Sequence, residues 1–126
     1  MKYSLFPLIL LLLSILSASC TKELKYTKEE LLELGQKKEP DARFLLPKSV
    51  TEGVNCADYT AGCISGHTMK VLGLEMILVE FETEEAAIAA AKKFRGYYVR
   101  NWLLDDVSGE PILEKFVVEN LEAKKP

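Results

Sequence analysis

Between Thr68 and Leu121 the hydrophobic period of this chain changes three times, and that succession limits the folds open to it. Residues 68–82 read as strand: Met76-Ile77-Leu78-Val79 is a continuous apolar run, and Glu80-Phe81-Glu82 then alternates. Gly73 interrupts the stretch, which is either one bulged strand or a tight hairpin of residues 69–72 with 75–81. Thr83 is placed to cap a helix. Glu84 and Glu85 fall in its first turn and Lys92 and Lys93 in its last, each suited to the helix dipole. Ala86, Ala87, Ala89, Ala90 and Ala91 raise its propensity and let it approach a sheet closely, and Gly96 is its expected end. Residues 97–104 read as a second strand, rich in aromatics. After a turn at 105–109, Pro111 suits the first turn of a final helix whose stripe is Ile112, Leu113, Phe116, Val117 and Leu121.

Upstream of this core the signals are shorter. Thr27-Lys28-Glu29-Glu30 has capping-box spacing, and Tyr26 and Leu31 stand where a hydrophobic staple would sit. A short helix should follow, with Gly35 as its stop. Phe44-Leu45-Leu46, between Pro40 and Pro47, is either an edge strand or a plug into the core. Lys124-Lys125-Pro126 reads as a frayed end. The expected fold is therefore α+β, with a small sheet of about three to four strands and a strand-helix-strand-helix core. The two later helices should cover one face of the sheet, and a disulfide-closed loop precedes it. This core resembles half of a ferredoxin-like fold, without a second complete repeat. Residues 27–67 (helix and loop) and 68–126 (core) are expected to form one domain.

The first nineteen residues stand apart. They carry one basic side chain, Lys2, and no acid, and residues 5–16 are apolar except for Pro7 and Ser14. The run is shorter than the about 20 residues of a membrane-spanning helix, and Ser17-Ala18-Ser19 is a small-residue tract of the kind a signal peptidase needs. The cysteine that follows at once, Cys20, makes the segment resemble a bacterial lipoprotein signal. In that family the usual leucine stands three positions before the cysteine; here Ser17 occupies that place and Leu16 is one step further back. The resemblance implies cleavage before Cys20 by signal peptidase II, with Cys20 carrying a lipid built from fatty acids such as palmitate. Residues 20–26 would be the lipidated end and its tether. Thr21 replaces the aspartate that the family uses for inner-membrane retention, which implies outer-membrane sorting in a cell with two membranes. An ordinary signal peptidase would also accept Ser17 and Ser19, leaving a soluble secreted protein with a free Cys20.

Cleavage there leaves three cysteines. If Cys20 is acylated, Cys56 and Cys63 form one disulfide and the count closes. The competing use of Cys56 and Cys63 is metal ligation with His67 and Asp58, but cysteines of zinc sites usually lie two to four residues apart. No metal site or cofactor motif is expected. The whole chain has a formal charge of −3, and removal of Lys2 with the signal makes it more negative. With no basic stripe visible, nucleic acid is a poor partner, because cations on phosphate supply most of that affinity.

His67, the only histidine, could serve as a general base beside Ser65 or Thr68, and Asp105, Asp106 and Glu110 cluster at a turn where a hard cation could bind. The plainer readings are a turn histidine and solvated or capping acids. Tyr97, Tyr98, Arg100, Asn101 and Trp102 are the best candidate binding surface, with Tyr98, Arg100 and Trp102 as one alternate set of the aromatic strand; the plainer reading puts Trp102 in the core with Arg100 over it. The functional expectation is a lipid-anchored cell-envelope protein that binds or scaffolds a partner without chemistry of its own. That partner is an envelope protein, a cell-wall glycan or a second copy of the chain. The alternatives are a small-ligand binder walled by the aromatic strand, or a small envelope hydrolase or metal-dependent enzyme around His67.

Overall fold

The computed structural model describes residues 24–49 and 52–126. The expected signal segment, Cys20 and the first part of the tether lie outside them. The order of elements is α1 (Lys28–Gln36), β1 (Arg43–Leu45), a 3-10 turn (Cys56–Asp58), β2 (Cys63–Val71), β3 (Leu74–Phe81), α2 (Glu84–Phe94), β4 (Tyr97–Val99), β5 (Trp102–Asp105) and α3 (Pro111–Asn120). The strands form one antiparallel sheet in the order β1-β2-β3-β5-β4. The class is the expected α+β, with five strands rather than three to four. None of the described helices is long and apolar enough to cross a membrane.

The extra strands come from two turns. Leu72 and Gly73 have φ of 55° and 77°, so β2 and β3 are a hairpin with both central residues left-handed, as a type I′ turn needs. Residues 97–104 are likewise not one strand. Val99 pairs with Trp102, and Arg100-Asn101 is the two-residue turn between β4 and β5, with Arg100 at φ 49°. Phe44 takes the edge-strand option: Arg43–Leu45 pairs with Thr68 to Lys70.

Helices cover both faces of the sheet, not one. On the first face, α1 and α3 pack over Met69, Val71, Met76, Leu78, Trp102 and Leu104. On the second, the α2 alanines Ala87, Ala90 and Ala91 sit against Val79, Phe81 and Leu103. The reason lies in β3, where successive residues of the run 76–79 point to opposite sides and all are apolar, so water must be excluded from both. The two expected glycine stops serve packing instead. Gly35 is buried inside α1, where a Cβ would lie 3.1 Å from the Phe116 ring. The cap of α2 is Arg95, left-handed at φ 54°, and a Cβ on Gly96 would lie 2.7 Å from the Leu104 carbonyl oxygen. The chain end is not frayed, because Lys124 exchanges two backbone hydrogen bonds with Tyr98, of 2.9 and 2.8 Å, and Ala123 is buried.

The Cys56–Cys63 disulfide is present, with a Cα–Cα distance of 5.5 Å. Its loop is docked on the second face. Tyr59 packs on the Phe94 ring at 5.1 Å, its phenol donates to Asp105 at 2.9 Å, and Glu82 N–H donates to the Gly62 carbonyl at 2.8 Å. Closing a loop this short is worth about 2.5 kcal/mol in the chain-entropy account. Replacing both cysteines by serine should therefore lower the unfolding free energy by about that amount, read from urea denaturation. The native chain should resist alkylation at both positions.

Candidate functional site

The structure does not bring Tyr98, Arg100 and Trp102 onto one face. The turn at Arg100-Asn101 breaks the alternation. Tyr98 packs with the second-face cluster, while Trp102 belongs to the first and is fully buried. Arg100 lies at the turn, its guanidinium 3.8 Å from the centre of the Tyr26 ring.

What these residues hold is the chain's own N-terminal segment. Trp102 Nε1 donates to the Tyr26 carbonyl at 2.8 Å, and the Tyr26 N–H donates to Asn101 Oδ1 at 3.0 Å. Both backbone groups of Tyr26 are thus satisfied by side chains from a turn some 75 residues away in sequence, and Arg100 covers its ring as a cation over an aromatic face. Asn101 is only 1% exposed. Its Nδ2 donates to the Phe81 carbonyl at 3.2 Å, and its own carbonyl accepts from Phe81 N–H at 2.8 Å, so the turn is bolted to the end of β3. One step later Thr27 closes the capping box with Glu30, with both bonds at 3.1 Å. The arrangement is a latch: the segment is gripped at Tyr26 and turned directly into α1. Asn101 belongs to the expected aromatic binding surface, but it is a buried turn residue that grips Tyr26 rather than part of an exposed face.

His67 lies beside this latch on the first face. Its ring is 5.5 Å from Phe44, edge-on, and 6.2 Å from Trp102. Burial, and after it the Lys28 ammonium, hold the imidazole below its ordinary value, with Glu29 opposing. Among the described residues no carboxylate hydrogen-bonds this ring, and Ser65 donates its hydroxyl proton to Glu80 at 3.2 Å. Thr68, the next residue of the strand, points to the other face. The unfolded chain takes up a proton near pH 6.5 that the folded state resists. This histidine's contribution to stability is therefore full above about pH 6.5 and is lost as the pH falls through its lower folded value. Denaturation midpoints measured from pH 7 down to 5 should drop less steeply in His67→Gln than in the native protein.

A groove of about 620 Å³ opens beyond the end of β1, between Leu46, Pro47 and Val54 on one side and Gly66 and His67 on the other. Gly66 is required there, because a Cβ would lie 2.2 Å from Val54 Cγ1.

The remaining candidates are tied up by local structure. Cys56 and Cys63 are bonded to each other and are not metal ligands. Asp105 accepts from Tyr59 and from the Asp106 N–H, and Glu110 caps α3 by accepting from Ile112 N–H at 3.3 Å. Among the described residues no group of three or more histidine, cysteine or acidic side chains is placed to hold a metal ion. Comparison with protein-family models, with curated proteins and with solved structures finds no match.

Proposed function

We propose that this is a lipid-anchored protein of the bacterial cell envelope, sorted to the outer membrane, whose domain binds or scaffolds a partner without chemistry of its own. The observation that carries the reading is the grip on Tyr26. A domain hung from a lipid at Cys20 needs its tether to leave from a defined place, and Asn101, Arg100 and Trp102 supply one six residues along the chain. The six residues from Thr21 to Tyr26 reach about 20 Å when extended, so such a domain would stand close to the bilayer. Attachment through two or more acyl chains is stable, whereas a single chain holds marginally.

Growth with an alkyne fatty acid tests the reading. The native protein should take up the label, and Cys20→Ser should lose it and leave the membrane fraction. Native protein without label would overturn the anchor and make Cys20 an ordinary cleavage position. The partner classes remain an envelope protein, a cell-wall glycan or a second copy of the chain.

Small-ligand binding is the second reading, favoured by the groove beside His67 rather than by the aromatic strand. A turnover abolished by His67→Ala in a folded protein would instead favour the hydrolase.

A further inference from the structure

The cations of this acidic chain are scattered in sequence, but the fold collects several of them. Lys92, Lys93 and Arg95 end α2, and Lys124 and Lys125 lie in the tail. The backbone pairing of Lys124 with Tyr98 lays the tail along β4, which carries Lys125 across the Tyr97 ring at 5.3 Å. A third segment arrives after β5. Ser108 Oγ donates to the Arg95 carbonyl at 2.5 Å and pins the left-handed residue that closes α2. A cavity of about 420 Å³ opens where they meet, lined by Lys92, Arg95, Gly96, Ser108, Lys125 and Pro126 over the floor of Ala91.

Residues 91–96, 107–109 and 123–126 include no acidic side chain. A chain of net charge −3 therefore sets three cations around one cavity, with no acidic side chain from those segments among them. Lys92 is accounted for by the helix dipole, which favours a cation in the last turn. Lys125 reaches the same corner from the tail, outside any helix. Like charges gathered this way repel one another, and an anion between them relieves the repulsion. An arginine fork with two flanking ammonium groups suits phosphate oxygens, the fork binding two at once and the lysines acting as point charges.

From this geometry we infer that the corner formed by the end of α2, the turn after β5 and the C-terminal tail binds a phosphate group. The group comes either from a small soluble phosphate ester or from a phospholipid headgroup. The site lies at the end of β4 opposite the Tyr26 latch, and the inference does not depend on acylation of Cys20.

The test uses the mature chain with Cys20→Ser, so that no acyl chain contributes. Amide resonances are followed by NMR during titration with glycerol phosphate, and with sodium chloride at matched ionic strength. In parallel, the protein is sedimented with vesicles of phosphatidylglycerol or of phosphatidylcholine. For a soluble ester, the amides of Gly96, Ser108 and Lys125 shift and saturate with glycerol phosphate and not with chloride. For a headgroup, the protein pellets with phosphatidylglycerol and not with phosphatidylcholine. In either arm Arg95→Gln with Lys125→Gln should weaken the response at least about tenfold, and Arg95→Lys should restore part of it. These side chains are exposed, and an unchanged thermal melt checks that the variants fold. A chloride response equal to that of the phosphate with no preference between vesicles overturns the site. So does a response that the double variant leaves intact.

Discussion

Trp102→Ala is expected to remove about 3–5 kcal/mol of folding stability. Trp102 heads the fully buried side chains by volume, and small domains have only about 5–15 kcal/mol in total. Two losses combine. The cavity strips contacts from the first-face core, where Trp102 sits with Leu78, Leu104, Val107 and Leu113. The Tyr26 carbonyl also loses its indole donor. Trp102→Phe separates them, since most of the apolar volume stays and only the N–H goes. That variant should retain the greater part of the stability but release the segment before α1. Urea denaturation measures the first effect, and cleavage by a protease specific for Lys25 measures the second.

Asn101→Leu is the second large effect. The substitution keeps an apolar volume of similar size but removes both ends of the amide, so the Phe81 carbonyl and the Tyr26 N–H each lose their side-chain partner. A buried polar group left unpaired costs about 1–3 kcal/mol, which gives about 2–4 kcal/mol for the pair if Tyr26 partly escapes to water. The signature that distinguishes this from general core damage is its distribution. The β2–β3 hairpin and the disulfide loop should keep their protection, while α1 loosens at its N-terminal end. Tyr26→Ala in the same background should add little, because the latch it belongs to is already open.

The elements of this fold are legible in the sequence where one rule dominates. A capping box places α1, the Thr83 cap and the dipole charges place α2, Pro111 starts α3, and the cysteine count leads to the Cys56–Cys63 bond. The topology is not legible to the same depth, for identifiable reasons. The two-residue turn at Arg100-Asn101 has no glycine, so an unbroken run from Tyr97 to Leu104 looks like one strand. The buried amide of Asn101, which side-chain alternation cannot reveal, ties that turn to Phe81 and Tyr26. Burial of both sheet faces was present in the run Met76 to Val79, because a half-exposed strand would have alternated. Gly35 and Gly96 show that a glycine after a helical pattern can mark close packing, since what excludes a Cβ at each is a residue distant in sequence. The candidate face Tyr98, Arg100, Trp102 followed from the same misread strand. Two of its members do act together, and they act on Tyr26.

The central claim is that the β4–β5 turn grips the chain at Tyr26, directly before α1. Hydrogen exchange at the Tyr26 amide tests it most directly. That N–H donates to a side chain that is almost wholly buried. It should exchange as slowly as amides of the sheet in the native protein, and at the rate of free chain in Asn101→Leu. A Tyr26 amide that exchanges as fast as that of Lys25 in the native protein would contradict the latch.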